Sequence, residues 1–182
     1  MVQIENLPIV LTGIGIIVSI LYYSNVLRNA DQTRKTQMFM QLHQSKYQQE
    51  GLRSMFRLMT LEWNDYDDYM TKYGGTTGHI DIPSDLTSWV EYFDGIGLLV
   101  KENMIDVDTV YNITHARILF VWFKFETIIK GLRNGPWGMP DYLANLEFLA
   151  NEMIKIRRKK GLPIPYTTYI HTTSELNEQY NR

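Results

Sequence analysis

The residues that could carry out catalysis or bind a metal are few and scattered. The four histidines are His43, His79, His115 and His171. None lies three or four residues from another, so no two of them form a ligand pair on one helical face. Cysteine is absent, which excludes disulfides, thiol nucleophiles and cysteine-based metal sites. We therefore predict neither a metal nor any other cofactor.

An acidic run suggests calcium at first sight. It consists of Glu62, Asp65, Asp67 and Asp68. An EF-hand loop counted from Asp65 would place Met70 at the required glycine and Thr76 at the required glutamate. The calcium interpretation therefore fails, and we predict a solvated acidic face.

The carboxylates of Glu91 and Asp94 are the only candidates for catalysis, and they lie beside Gly95 and Gly97. Two interpretations stay open. In one, the glycines kink the helix and expose a carboxylate pair for general acid or base catalysis. In the other, the missing side chains let a neighbouring helix approach closely, although each glycine loses about 1 kcal/mol of helix propensity.

The densest positive charge lies near the end of the chain, where five of six consecutive residues are basic: Lys155, Arg157, Arg158, Lys159 and Lys160. Cations at a helix C-terminus interact favourably with the helix dipole, but five are more than this interaction explains. We therefore hypothesise that this basic cluster binds anionic lipid. It lacks the interleaved aromatic residues of a nucleic-acid site, and the net charge of the whole chain is only -2, so we predict no nucleic-acid partner.

The element that must position these groups is an uncharged segment of twenty-one residues, Leu7 to Leu27. As a helix with a rise of about 1.5 Å per residue it would be about 31 Å long, which matches a hydrocarbon core of about 30 Å. We predict a transmembrane helix at 7–27 after a short extracytoplasmic N-terminus at 1–6. A cleaved signal peptide would need a basic start and a shorter apolar core.

The charges around this segment predict its orientation. Arg28, Arg34 and Lys35 follow it against the single Asp31, and no Lys or Arg precedes it. Basic residues close to a span stay in the cytoplasm. We therefore predict a single-pass protein of the cell membrane, with its N-terminus outside and its C-terminal domain cytoplasmic.

Small residues within the span permit helix association. Gly15 and Ser19 are four residues apart and lie on one helical face. Such a spacing lets two membrane helices approach closely. We hypothesise a homo-oligomer formed through Gly15 and Ser19.

The rest of the chain predicts an all-α fold, with a bundle of about four to five helices. We predict a helical stalk at 28–47, a helical domain at 48–160 and an extended tail at 161–182. Ser84 should cap a core helix, and Asp106 or Asp108 should begin the next. A helix from about His115 to Arg133 should be central. Two apolar faces are predicted: Leu52, Met55, Phe56, Met59 and Trp63, then Leu86, Trp89, Val90, Phe93, Ile96, Gly97 and Val100.

Two further segments suggest a family. They are YFDGIGLLVKENMID, from Tyr92 to Asp106, and the spacing of Trp122, Phe125, Ile129 and Arg133. With the preceding span and basic stalk, they resemble a family of uncharacterised prokaryotic proteins. Its members have a domain of unknown function behind one N-terminal membrane helix. The resemblance implies a cytosolic helical domain and transfers no catalytic residue.

These features favour a binding protein over an enzyme. We predict a membrane-tethered helical scaffold, adaptor or accessory subunit that binds a protein partner at the inner membrane face. Two alternatives stay open. One is a membrane-anchored enzyme that uses Glu91 and Asp94, and the other is a small subunit of a larger membrane complex with aromatic interfaces.

Overall fold

A computed structural model describes residues 7–74, 81–135 and 139–165. These residues form six α-helices and no strand: α1 (Leu7–Lys46), α2 (Gln49–Met59), α3 (Tyr66–Tyr73), α4 (Asp81–Lys101), α5 (Val107–Asn134) and α6 (Ala144–Lys159). The predicted all-α class is confirmed. The chain divides into two units, one that ends at Gln44 and one that begins at Ser45.

The first unit is most of α1, a single helix of 40 residues. It is long and apolar enough to cross a membrane, and no part of its most apolar window is buried. Its hydroxyl groups bond within the helix: Thr12 Oγ1 donates to the Pro8 carbonyl and Ser19 Oγ donates to the Gly15 carbonyl, both at 2.8 Å. The hydroxyl groups of Thr12 and Ser19 are therefore satisfied within the helix.

The second unit has its core between α4, α5 and α6. All seven residues predicted for the apolar face of α4 are buried. Helix α5 is central, as predicted, but it is one continuous helix from Val107, so it does not begin near His115. Every residue from Ile118 to Glu126 is buried. Trp89, Trp122, Phe93 and Phe125 are the largest side chains in this core and are fully buried.

Helix α2 presents a different face from the predicted one. Met55 and Leu58 are buried, but Phe56 is 64% exposed and Met59 is 39% exposed. Ser54 is buried because its Oγ accepts a hydrogen bond from Trp89 Nε1 at 2.8 Å. This contact holds the Ser54 side of α2 against α4, while Phe56 and Met59 lie on the exposed side.

Several helix starts also differ from prediction. The sequence also predicts Asn64 as the cap of a short helix at 64–73, but the N-cap of α3 is Asp65. Helix α4 begins at Asp81, so Ser84 lies inside it and does not cap it. Asp106 caps α5, as one of the two predicted alternatives stated. The sequence also predicts Asp141 as the cap of the last helix, but α6 begins at Ala144 and its N-cap position is Leu143.

A glycine lies just beyond the end of α6. The helix stops at Lys159, and Gly161 adopts a φ of 66° just beyond it, a conformation that favours glycine. Of the predicted tail at 161–182, residues 166–182 lie outside the described residues. The sequence also predicts a loop at 74–83. Its residues 75–80 lie outside the described residues as well, and its last three residues belong to α4.

Candidate functional site

Asp94 caps a neighbouring helix. Its Oδ1 accepts hydrogen bonds from the backbone N–H groups of Asn145 and Leu146 at 2.9 and 2.8 Å, and its Oδ2 accepts one from Asn145 Nδ2 at 3.2 Å. These N–H groups belong to the first turn of α6, where backbone N–H groups have no partner within the helix. Glu91 lies one turn earlier on α4 and is exposed. Both carboxylate oxygens of Asp94 therefore accept hydrogen bonds from the start of α6.

The two glycines beside this carboxylate have different roles. A Cβ added to Gly97 would lie 2.1 Å from the Asn145 carbonyl oxygen, whereas a Cβ on Gly95 would meet nothing within 4 Å. Gly97 therefore lets the backbone of α6 approach α4. This geometry supports the packing interpretation at Gly97 and leaves Gly95 without a contact to explain it.

Two charged residues are buried on α5. Lys124 Nζ donates to the Met59 carbonyl at the end of α2 at 2.7 Å and lies 5.4 Å from the centre of the Trp63 ring. Burial lowers the pKa of Lys124, and the nearby Glu62 opposes this shift. Glu126 pairs with Lys130 at 2.6 Å. Both buried charges thus have structural partners.

The two histidines within the described residues, His43 and His115, do not converge on a metal site. His79 and His171 lie outside the described residues. His115 Nδ1 lies 2.6 Å from the Tyr111 carbonyl oxygen, and its Nε2 lies 3.1 Å from Arg157 Nη1. Across residues 7–74, 81–135 and 139–165, no three histidine or carboxylate side chains group in a way that could hold a metal.

The basic cluster lies at the C-terminal end of α6 and the residue after it. Arg157 Nε donates to the Pro163 carbonyl at 2.7 Å, Lys155 pairs with Glu152 at 2.5 Å, and Lys160 Nζ lies 4.1 Å from the centre of the Tyr111 ring. Arg157 thus binds the chain that leaves α6. Lys155, Lys159 and Lys160 are exposed and present their charge to solvent.

Gly15 and Ser19 share one exposed face of α1. Together with Thr12 and Ile16 they line a shallow groove along the helix. A Cβ on Gly15 would meet nothing within 4 Å. The face predicted for homo-oligomer formation is therefore open along the described part of α1.

The second unit contains an apolar cleft that no sequence pattern predicts. It has a volume of about 430 Å³ and lies between α3, α4, α5 and the segment before α6. Its walls are mainly aliphatic, with Leu86 and Val90 on one side and Ile129 and Leu132 on another. The described lining residues include no charged side chain.

The polar groups of this cleft are neutral hydroxyls, from Tyr69, Tyr73, Tyr142 and Thr87. Burial raises the pKa of Tyr69. Burial also raises the pKa of Tyr142, and the carboxylates of Glu91 and Asp94 raise it further. Both phenols therefore stay protonated at neutral pH. The cleft offers hydroxyl groups inside an apolar wall, as small-molecule sites commonly do.

The comparison with known families is decisive for classification. The family described as Domain of unknown function (DUF4760) matches residues 9–153. The chain belongs to this family. The predicted resemblance to an uncharacterised domain family is thereby confirmed, while the prokaryotic source and the membrane location stay predictions. No curated protein and no solved structure matches the chain.

The extent of the DUF4760 match bears on each candidate site. It begins inside α1, so the apolar helix and the helical unit fall within one family domain. All the described lining residues of the cleft lie inside the match, whereas the basic cluster begins two residues after its last position, Met153. The cleft therefore belongs to the family domain.

Proposed function

We propose that this DUF4760 protein is a membrane-tethered helical module that binds a protein partner at the inner face of the cell membrane, as a scaffold, adaptor or accessory subunit. One observation carries the proposal. Helix α1 exposes a continuous apolar surface of membrane-spanning length, while the unit that follows it forms a core of its own.

The energetics of α1 support the tether. An exposed apolar patch of more than a few hundred Å² marks a membrane or protein interaction site. The segment from Leu7 to Leu27 holds twelve Leu, Ile or Val residues. At about 0.3 to 0.6 kcal/mol each, they favour insertion by up to about 4 to 7 kcal/mol. Burial in lipid satisfies this surface without any change in the helix.

The face of α2 that carries Phe56 and Met59 supports a protein partner. The two side chains are three residues apart, 64% and 39% exposed, and lie on one side of the helix. Exposed aromatic and methionine side chains are enriched in the cores of protein interfaces. The same face would serve a small subunit within a larger membrane complex.

Affinity purification from native membranes tests the partner. We expect full-length protein to retain a defined protein through gentle detergent extraction, and Phe56→Asp to lose it. Leu98→Asp is the matched control, because Leu98 is 45% exposed on α4. Equal retention by both variants would show that α2 is not the binding face, and a chain that stays in the soluble fraction would contradict the tether.

A second membrane contact is proposed for the basic cluster. Lys155, Arg157, Arg158, Lys159 and Lys160 lie within six residues, and a cation near an anionic leaflet contributes about 1 kcal/mol. A fragment without residues 1–30 should bind anionic vesicles weakly at low salt. Replacing Lys155, Lys159 and Lys160 by glutamine should remove this binding, and unchanged partitioning would contradict the proposal.

A further inference from the structure

The cleft between α3, α4, α5 and the segment before α6 is large enough to hold a ligand. Its volume of about 430 Å³ falls within the range of small-molecule sites. Protein interiors otherwise have few voids larger than a water molecule. Three helices and the segment before α6 contribute to its walls, so the second unit as a whole holds the cleft in shape.

The charges in and around the cleft select the chemistry of the ligand. The described lining residues carry no charge. The carboxylates of Glu91 and Asp94 lie close enough to the Tyr142 hydroxyl to raise its pKa. Arg133 also approaches this region, but its charge is paired: its Nε donates to the Tyr142 carbonyl at 2.7 Å and its Nη1 donates to Glu147 at 2.6 Å. An anionic head group would meet the carboxylates of Glu91 and Asp94, and the described lining residues offer it no cation. The cleft therefore favours an uncharged ligand.

The lining residues also select the shape of the ligand. Leu86, Ile129 and Leu132 contribute aliphatic side chains to the lining, and Met70 and Met139 contribute adaptable ones. Such a surface suits a flexible hydrocarbon chain. The hydroxyls of Tyr142 and Thr87 can hydrogen-bond a neutral polar head.

We propose that this cleft binds the hydrocarbon chain of an uncharged membrane lipid with a hydroxyl head group, of the long-chain alcohol class. The inference rests on the proposed tether only for access to the ligand, because a tethered domain meets lipid as its most abundant apolar neighbour. The tether and the cleft would then act together, with α1 in the bilayer and the second unit holding a lipid drawn from it.

Photolabelling of the full-length protein tests the cleft. The protein is placed in neutral phosphatidylcholine nanodiscs with a long-chain alcohol that carries a diazirine at its chain end, and adducts are mapped by mass spectrometry. We expect saturable adducts on the peptides that contain Met70 and Met139. Unlabelled alcohol should compete better than the carboxylic acid of the same chain length.

A matched pair of variants isolates the cleft from the helix surface. Thr87 lines the cleft at its exposed edge, whereas Thr71 is exposed on α3 outside it. Thr87→Trp should lower cleft labelling by about tenfold, which corresponds to about 1.4 kcal/mol of binding free energy. Thr71→Trp should leave it unchanged. Circular dichroism of both variants checks that they fold. The competition between unlabelled alcohol and carboxylic acid is measured on the unmodified protein, so it tests the cleft without any variant.

The contradicting outcomes are distinct from failure of the tether. Adducts confined to α1, labelling that does not saturate, or equal competition by alcohol and acid would each overturn the lipid assignment. A full-length chain that is soluble without detergent would overturn the tether instead. The same labelling would then be run in buffer without lipid, where its result tests the cleft proposal independently of the tether.

Discussion

At the scale of single residues, Gly97 shows how an absent side chain fixes the packing of two helices. A Cβ at this position would overlap the Asn145 carbonyl oxygen, at 2.1 Å. We predict that Gly97→Ala lowers the free energy of unfolding by about 1–3 kcal/mol or more, as overpacking does. Gly95→Ala, in open space, should raise it by about 0.5–1 kcal/mol. Thermal and urea unfolding of the two variants measures the contrast, and equal effects would contradict the assignment.

Asp94 should matter for stability. Its carboxylate binds two backbone N–H groups at the start of α6, so Asp94→Ala leaves those groups without their cap. We predict a loss of about 1–3 kcal/mol in the free energy of unfolding. Glu91 is exposed, so Glu91→Ala should change the free energy of unfolding by about 0.5 kcal/mol or less. Similar losses for both residues would argue for a shared role of the two carboxylates.

Lys124 should give the protein a measurable pH dependence. Because burial lowers its pKa, the unfolded chain binds more protons at this side chain than the folded chain, from the lowered pKa up to the ordinary value of 10.5. Stability of the wild-type protein should therefore rise with pH across this window, relative to Lys124→Met. Urea unfolding at several pH values gives the difference, in which other titrating groups cancel. A constant difference would show that Lys124 is solvated.

At the scale of helices, the sequence predicts burial well where neighbours lie on every side. The apolar stripe of α4 and the central position of α5 follow from helical periodicity, because apolar residues at spacings of three and four lie on one face. The same rule failed on α2, where Phe56 and Met59 are exposed. The orientation of α2 depends on the bond between Ser54 and Trp89, which joins residues thirty-five positions apart and leaves no local pattern.

The apolar helix offers a prediction about self-association. Gly15 and Ser19 lie on one exposed face of α1. Their side chains are small, and the Ser19 hydroxyl already donates a hydrogen bond within its own helix. We predict that Gly15→Leu abolishes homodimer formation in bilayers, as measured by energy transfer between labelled copies. Gly13→Leu is the matched control, since Gly13 does not line the groove. Oligomer size that is unchanged by Gly15→Leu would remove the dimer hypothesis.

At the scale of the whole molecule, the candidate cleft shows what a sequence cannot reveal. Its lining comes from α3, α4, α5 and the segment before α6, and each of these residues by itself is typical of a core. Tyr69 and Tyr73 are four residues apart on α3, a spacing that equally suits ordinary packing. The cleft exists only because these elements meet, so no motif along the chain marks it.

The orientation of the chain in the membrane is the broadest prediction, and the absence of cysteine makes it directly testable. Gln3→Cys should react with a membrane-impermeant maleimide in intact cells, because Arg28, Arg34 and Lys35 hold the other end of the span on the cytoplasmic side. Glu102→Cys, exposed beyond α4, should react only after the membrane is permeabilised. The unmodified chain contributes no background in either case. The reverse pattern would place the helical unit outside the cell, and reaction of both variants in intact cells would show that the basic residues after α1's apolar segment do not set its orientation.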